Sequence, residues 1–283
     1  MYDSDFIARC AQLAMLLEVS ADPKPGNVDR EHDFGNLRYE HFLGSAVGTY
    51  AVFKKAAAGQ ECPIGGLILE AVEASSAWQT AGNVHFGAIL MLIPLCVAAS
   101  ISSDIEGLRK NVEIVVKKTT VFDALQFYEA FGRVTVRVGK AETLDVRDPA
   151  SLDAIERENL TLYNIMEIST PNDTLAREWI EGFPRTFRGA DILEKRFKSG
   201  HSLNDSIVYT FLSLLGDIPD TLIEKKFGRE LAGEVSSASK QVLNSGRVAE
   251  FDEYLIGKEI NPGTTADLVI ASLFITLLGG LRF

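Results

Sequence analysis

Apolar positions recur with helical spacing along most of the chain. The first set, Phe6, Cys10, Leu13 and Leu17, advances by four, three and four residues and puts one face of an N-terminal helix against a core. The same period predicts further helices over about 38–58, 65–81, 84–102, 105–130, 150–168, 172–197, 202–215, 219–244, 247–257 and 264–281. Only Val134-Thr135-Val136-Arg137-Val138 alternates with period two, and no second alternating run lies nearby, so strand and non-strand both stay open there. Turn chemistry punctuates the helices at Pro23-Lys24-Pro25-Gly26, Gly65-Gly66, Gly82-Asn83, Asp148-Pro149, Thr170-Pro171-Asn172, Gly216-Asp217-Ile218-Pro219 and Asn261-Pro262-Gly263. The pattern predicts an all-α fold. With no Ser/Gly-rich tether and no internal repeat, residues 1–283 are expected to form a single multi-helix domain whose interhelical loops and helix N-termini make a polar cleft.

Two apolar runs invite a membrane reading, Phe86–Ile101, interrupted by Pro94, and Leu268–Leu281, preceded by Asp267. Both fall short of the ~20 residues that a spanning helix needs, so they are expected to be helices buried on most sides. The 46% hydrophobic and 24% charged composition excludes a disordered chain. Against 39 acidic residues stand 28 Lys and Arg, a net charge of −11, which argues against a protein that grips nucleic acid by neutralising phosphates. The three cysteines are far apart and lack C-x-x-C spacing, which indicates neither a disulfide framework nor a zinc knuckle. The polar, acidic opening Met1–Asp5 has no positive region of a secretory signal, and a cytoplasmic location is expected. A homodimer is the default expectation for oligomeric state.

Uncommon polar residues collect in the breaks between apolar helices, where helical proteins place their sites. The longest break, Ala21–Gly35, holds Lys24, Gly26, Asp29 and Arg30 around a rigid Pro-x-Pro-Gly turn; a solvated interhelical loop is the bland alternative. The second, Ala81–Gly87, offers Asn83 as a helix cap and His85 in the first turn, where an anionic ligand is favoured and imidazole protonation disfavoured. The third contains Asp220 and Thr221, which suit a capping role as well as metal ligation. The fourth, Asn261–Asp267, sets Thr264 and Asp267 at the mouth of the last apolar helix. No P-loop, G-x-G-x-x-G, H-E-x-x-H or G-x-S-x-G motif is present.

These breaks carry a resemblance. Glu18-Val19-Ser20 followed by Pro23-Lys24-Pro25-Gly26-Asn27-Val28-Asp29-Arg30 resembles the E-V-x-x-x-P-K-P-G-x-V-D-R opening of the triphosphoribosyl-dephospho-CoA synthase family. Asn83–Ile89 is similar to that family's N-T-H-K-G-A-I, Asp220–Ile223 to its D-T-N-L, and Pro262–Leu268 to its P-G-G-S-A-D-L. The four segments occur in family order from residue 18 to residue 268. Phe86 stands where the family has Lys, Val84 where it has Thr, and the stretch after Arg30 is shortened, as in a divergent branch.

The resemblance implies an all-helical transferase that moves the 5-triphosphoribosyl group of ATP to a hydroxyl of an acceptor such as 3'-dephospho-CoA, with Mg²⁺, and releases adenine. It implies ATP or phosphate contacts from Lys24, Gly26, Arg30, Asn83 and Thr264. Asp29, His85, Asp220 and Asp267 are the catalytic candidates, and Glu18, Asp29, Asp220 and Asp267 the metal candidates. Base and metal ligand stay unseparated among the carboxylates. Two other readings fit the residues: a helical Mg²⁺-dependent hydrolase of nucleotide or ADP-ribose N-glycosidic bonds, and a non-catalytic nucleotide-binding protein.

Overall fold

A computed structural model describes residues 2–59, 62–82, 84–133 and 149–283. The alternating run 134–138 and Asn83 lie outside the described residues, and so does the side chain of Pro149. Among the described residues there are fifteen helices and no strand, as the periodicity predicts. They are α1 Ser4–Ser20, α2 Tyr39–Ala57, α3 Ile64–Ser76, α4 Phe86–Ser100, α5 Ile105–Lys117, α6 Val121–Arg133, α7 Pro149–Glu158, α8 Leu162–Ser169, α9 Thr174–Glu181, α10 Pro184–Lys198, α11 Leu203–Asp217, α12 Thr221–Phe227, α13 Arg229–Ser245, α14 Val248–Gly257 and α15 Gly263–Leu278.

The two most apolar helices lie at the centre. Every residue of α15 from Leu268 to Leu278 is buried, and so is every residue of α4 from Ala88 to Cys96. They pack on each other, with α1, α10 and α11 against α15 and with α1, α2, α3 and α5 against α4. Neither has a polar face because neither meets solvent along its length. No single helix among the described residues is long and apolar enough to cross a membrane. Phe86 turns away from the polar break and packs on α6, its ring centroid 4.4 Å from that of Phe131 and 6.0 Å from that of Phe127.

Four stretches expected as single helices are each broken in two. The 105–130 stretch divides at Thr120, whose N–H and hydroxyl donate to Asp123 Oδ2 (2.7 and 2.8 Å), while Asp123 Oδ1 accepts the Gly65 N–H at the start of α3 (2.8 Å). The 150–168 stretch divides at a capping box, Thr161 with Asn164. In 172–197 the chain turns through Gly182 and Phe183, both at positive φ, and Pro184 then starts α10. Buried Glu178 receives the free amides there, from Arg185 at 3.1 Å and Thr186 at 2.9 Å. The 219–244 stretch breaks at Gly228, φ +92°.

Candidate active site

The loop between α1 and α2 is held by its own polar groups. Lys24 is completely buried; its ammonium donates to the Glu18 carbonyl (3.0 Å), capping the end of α1, and lies 2.6 Å from Glu18 Oε1. Asp29 takes four donors, the Lys24 amide on Oδ2 (3.1 Å) and, on Oδ1, the amides of Glu31 (2.9 Å) and His32 (2.8 Å) and the His32 ring Nδ1 (3.2 Å). Gly26, at φ +73°, gives its amide to Asp252 Oδ1 (2.9 Å), and a Cβ there would overlap the Ile260 carbonyl. Arg30 pairs with Asp22 and is half exposed. Asn204 clamps Asp22 from the far side of the sequence, bonding both its N–H and its carbonyl. The phosphate-gripping set expected from Lys24, Gly26 and Arg30 is therefore dispersed: one ammonium is inside, one amide is committed to Asp252, and one guanidinium is at the rim.

The N-terminal turns of α4, α9, α12 and α15 meet at one place. Asp220 caps α12 through Oδ1, accepting from Leu222 (2.9 Å) and Ile223 (3.2 Å). Its Oδ2 accepts the amide and hydroxyl of Thr265 (2.7 and 2.8 Å) at the start of α15. The Thr264 and Thr221 hydroxyls lie 3.2 Å apart, and the Thr174 amide donates to Thr221 Oγ1 (3.4 Å), which brings in α9. Asp267, one turn into α15, accepts the Ala88 amide of α4. A Cβ on Gly87 would overlap Asp267 Oδ2 and crowd Leu175 of α9, so the close approach of these helices requires glycine there. Asp173, the α9 cap, holds Lys225 by an ion pair of 2.6 Å beside them.

His85 starts α4 in the left-handed region, φ 64°. Its ring is buried, edge-on to Phe42 with 4.9 Å between centroids, and Nδ1 lies 3.0 Å from Ser45 Oγ. Ser45 in turn accepts from Ser75 Oγ at 2.8 Å. Burial, reinforced by the nearby Lys24 ammonium, lowers the His85 pKa to about 3, so the ring is neutral at physiological pH. The first turn of a helix favours the same state.

Hydrogen-bond donors separate the four nominated carboxylates, whereas burial raises Asp220 as it raises Glu18 and Asp267. A carboxylate offers about four acceptor positions. Asp29 and Asp220 each have four donors already, and each joins parts of the chain that are otherwise free to move apart. Glu18 and Asp267 are different. Burial raises the Glu18 carboxyl, with Lys24 opposing the shift. Asp267 is raised well above the carboxylate range, first by burial and then by the charges of Glu18 and Asp220, with the Ala88 amide opposing. It remains partly exposed at the mouth of the convergence. Of the buried polar atoms without a hydrogen-bond partner among the described residues, Asn27 Nδ2, His85 Nε2, Thr174 Oγ1 and Asn261 Oδ1 fall in or beside the polar breaks, Glu18 Oε1 faces Lys24, and Arg196 Nε lies apart on α10. Each such atom costs about 1–3 kcal/mol unless a ligand meets it.

A model of the ATP:dephospho-CoA triphosphoribosyl transferase family matches residues 4–282, from the start of α1 to the penultimate residue. The chain belongs to that family. Two bacterial relatives, each named a probable 2-(5''-triphosphoribosyl)-3'-dephosphocoenzyme-A synthase, are similar over nearly the whole length. The one from Pseudomonas fluorescens is 26% identical, covering 95% of this chain and 90% of its own. The one from Pseudomonas paraeruginosa is 25% identical, covering 96% and 90%. A crystal structure from Archaeoglobus fulgidus, of a protein assigned as a triphosphoribosyl-dephospho-CoA synthase, superposes with a TM-score of 0.72 at 29% identity over 85% of this chain and all of that one. Membership makes the chain a transferase, and the low identities fit a divergent branch.

Several residues around the loop and the convergence are not evident in the sequence. Ser45 and Ser75 are lone serines on apolar helix faces, and that is their only signal. Asp173 and Lys225 resemble any helix cap and surface lysine. Asp252 sits in an acidic stretch with Glu250 and Glu253, and nothing local distinguishes it. With Asp29 and His32 it forms a set whose ligand atoms lie within 4.8 Å of one another. The His32 ring nitrogen already occupies the space between the two carboxylates, 3.2 Å from Asp29 and 3.4 Å from Asp252, so the trio is complete as a loop lock.

Proposed function

We propose that this transferase moves the 5-triphosphoribosyl group of ATP to a hydroxyl of 3'-dephospho-CoA, releases adenine and uses Mg²⁺. The observation that carries the reading is the convergence of four helix N-termini beside Asp267, which keeps free acceptor positions, with the charge of buried Glu18 near enough to raise it. Helix N-termini favour phosphate groups through their unpaired amides and the positive end of the dipole. Orphaned Asn27 Nδ2, and the hydroxyl of Thr174, add donors in the same breaks.

The all-oxygen pair Glu18 and Asp267 fits a hard divalent cation. The buried ammonium of Lys24 is paired with Glu18 (2.6 Å), and the strong upward shift of Asp267 is what an added cation would relieve. Mg²⁺ commonly takes one or two carboxylates together with substrate phosphates. When bound, it would neutralise the triphosphate and hold it with the ribose. The remaining work falls to the protein. Displacement at the anomeric carbon passes through an oxocarbenium-like state, so a hydroxyl must lose a proton and the departing base must be stabilised. Asp267, ionised once a cation relieves its upward shift, has free acceptor positions to take the hydroxyl proton. Glu18, held by Lys24, keeps a negative charge that stabilises the ribose ring. Asp220 and Asp29 act as positioning residues, the first by joining α12 to α15 and the second by shaping the loop around Lys24.

Free adenine released from ATP, measured by chromatography with and without dephospho-CoA and with and without EDTA, tests the reading. The expected result is adenine only when dephospho-CoA and divalent cation are both present. Equal release without dephospho-CoA identifies a hydrolase, and no release from folded protein with any acceptor leaves only a binding role.

A further inference from the structure

The proton count in the row Ser75, Ser45, His85 has one solution that uses the short contacts. Ser45 is fully buried on α2, and its hydroxyl has two polar neighbours, Ser75 Oγ at 2.8 Å and His85 Nδ1 at 3.0 Å. A hydroxyl carries one proton. Ser75 is the donor in the shorter contact, so the Ser45 proton goes to Nδ1, and the neutral ring carries its own proton on Nε2. The opposite arrangement would send the Ser75 proton to the Val84 carbonyl at 3.4 Å, a much weaker bond. Nε2 is buried and has no partner in the free protein.

We propose that Ser75 and Ser45 are positioning residues that fix His85 as a neutral ring protonated on Nε2, so that it presents a hydrogen-bond donor to an acceptor atom of the bound nucleotide. The nucleotide clause rests on the function proposed above; the state of the ring does not. His85 is held for this task by its left-handed backbone at the start of α4 and by the edge contact with Phe42. A preset neutral donor avoids leaving a second positive charge beside Lys24 and needs no reorganisation when the leaving base or a phosphate oxygen arrives. A donor with no partner is also a means of selection, since a ligand lacking an acceptor there leaves the donor unsatisfied.

The test is ¹⁵N NMR of the histidine ring nitrogens in the full-length protein between pH 5 and 8, with His85→Gln used to assign the signals. The expected spectrum has a protonated Nε2 and a bare, hydrogen-bonded Nδ1, with no titration over that range. Adding ATP shifts the Nε2–H signal. Inorganic triphosphate reproducing the shift identifies a phosphate oxygen as the acceptor, and adenosine reproducing it identifies the base. Ser45→Ala is expected to mix the two ring tautomers and to lower kcat by about ten-fold or more with KM for dephospho-CoA nearly unchanged. Ser45→Thr restores both, and Ser75→Ala gives a weaker form of the same effect. A proton on Nδ1, or Ser45→Ala that leaves both the ring signals and kcat unchanged, overturns the proposal. The expected ring spectrum from a protein that releases no adenine would leave the serine relay standing and overturn the function.

Discussion

The α1–α2 loop and the helix convergence are both rich in carboxylates, yet they use them oppositely. Around the loop, Asp29 is spent on local amides, Asp252 of α14 reaches across to the Gly26 amide, and both meet the His32 ring, and the result is a fixed shape. At the convergence, Asp267 keeps all but one acceptor position free and is held in an environment that resists its charge. The difference shows that acidity alone does not mark a site; what matters is whether the surrounding donors have already been used. Asp220 makes the point at close range, since it sits at the convergence but belongs chemically with the loop carboxylates.

The comparison breaks most sharply at Asp267. Asp267→Asn is expected to lower turnover by about 10²–10³-fold, the scale of losing one preorganised charged group, in a steady-state adenine-release assay. The same change is expected to leave the fold more stable at neutral pH. The folded-state pKa of Asp267 lies above its unfolded value, so its contribution to stability is present below the ordinary carboxylate range and is lost as pH rises through the folded value. Melting curves should therefore diverge with rising pH in favour of the variant, by about 2–4 °C for each kcal/mol relieved, and coincide near pH 3.

Gly87→Ala tests the same carboxylate by displacement. Its Cβ would overlap Asp267 Oδ2, and moving that group by about 1 Å is expected to cost about 10²-fold in kcat while KM changes little. Asp220→Ala probes a saturated carboxylate. Loss of a buried cap serving two helices is expected to destabilise by about 2–4 kcal/mol in urea unfolding. Asp29→Asn is expected to cost about 1–3 kcal/mol by the same measurement. At the small end, Arg30→Ala removes a half-exposed ion pair and should change stability by no more than about 1 kcal/mol.

The sequence exposes the helices and the polar breaks because both are local. Period 3.6 marks α1 and α2, continuous apolar runs mark α4 and α15, and Pro-Gly chemistry marks the loop before α2 and the start of α15. The Gly182-Phe183-Pro184 break also carries a local signal, but the turn at Thr120 depends on Asp123 reaching back to Thr120 and across to Gly65, which periodicity does not show. Which carboxylates are spent is likewise a tertiary fact. Asp220 is saturated by Thr265, 45 positions away, and Gly26 is committed to Asp252, 226 positions away. The buried pair of Lys24 with Glu18 is a tertiary fact of the same kind: the ammonium caps the end of α1, and only the folded loop delivers it there.

The most direct test of the distinction is to measure dephospho-CoA-dependent adenine release by Asp267→Asn and Asp29→Asn side by side, well below the melting temperature of each, with unfolding curves for both. The account predicts that Asp267→Asn loses turnover by about 10²-fold or more without loss of stability, whereas Asp29→Asn loses stability and keeps turnover within about ten-fold. An Asp267→Asn protein with wild-type turnover, or an Asp29→Asn protein that is fully stable and inactive, would contradict it.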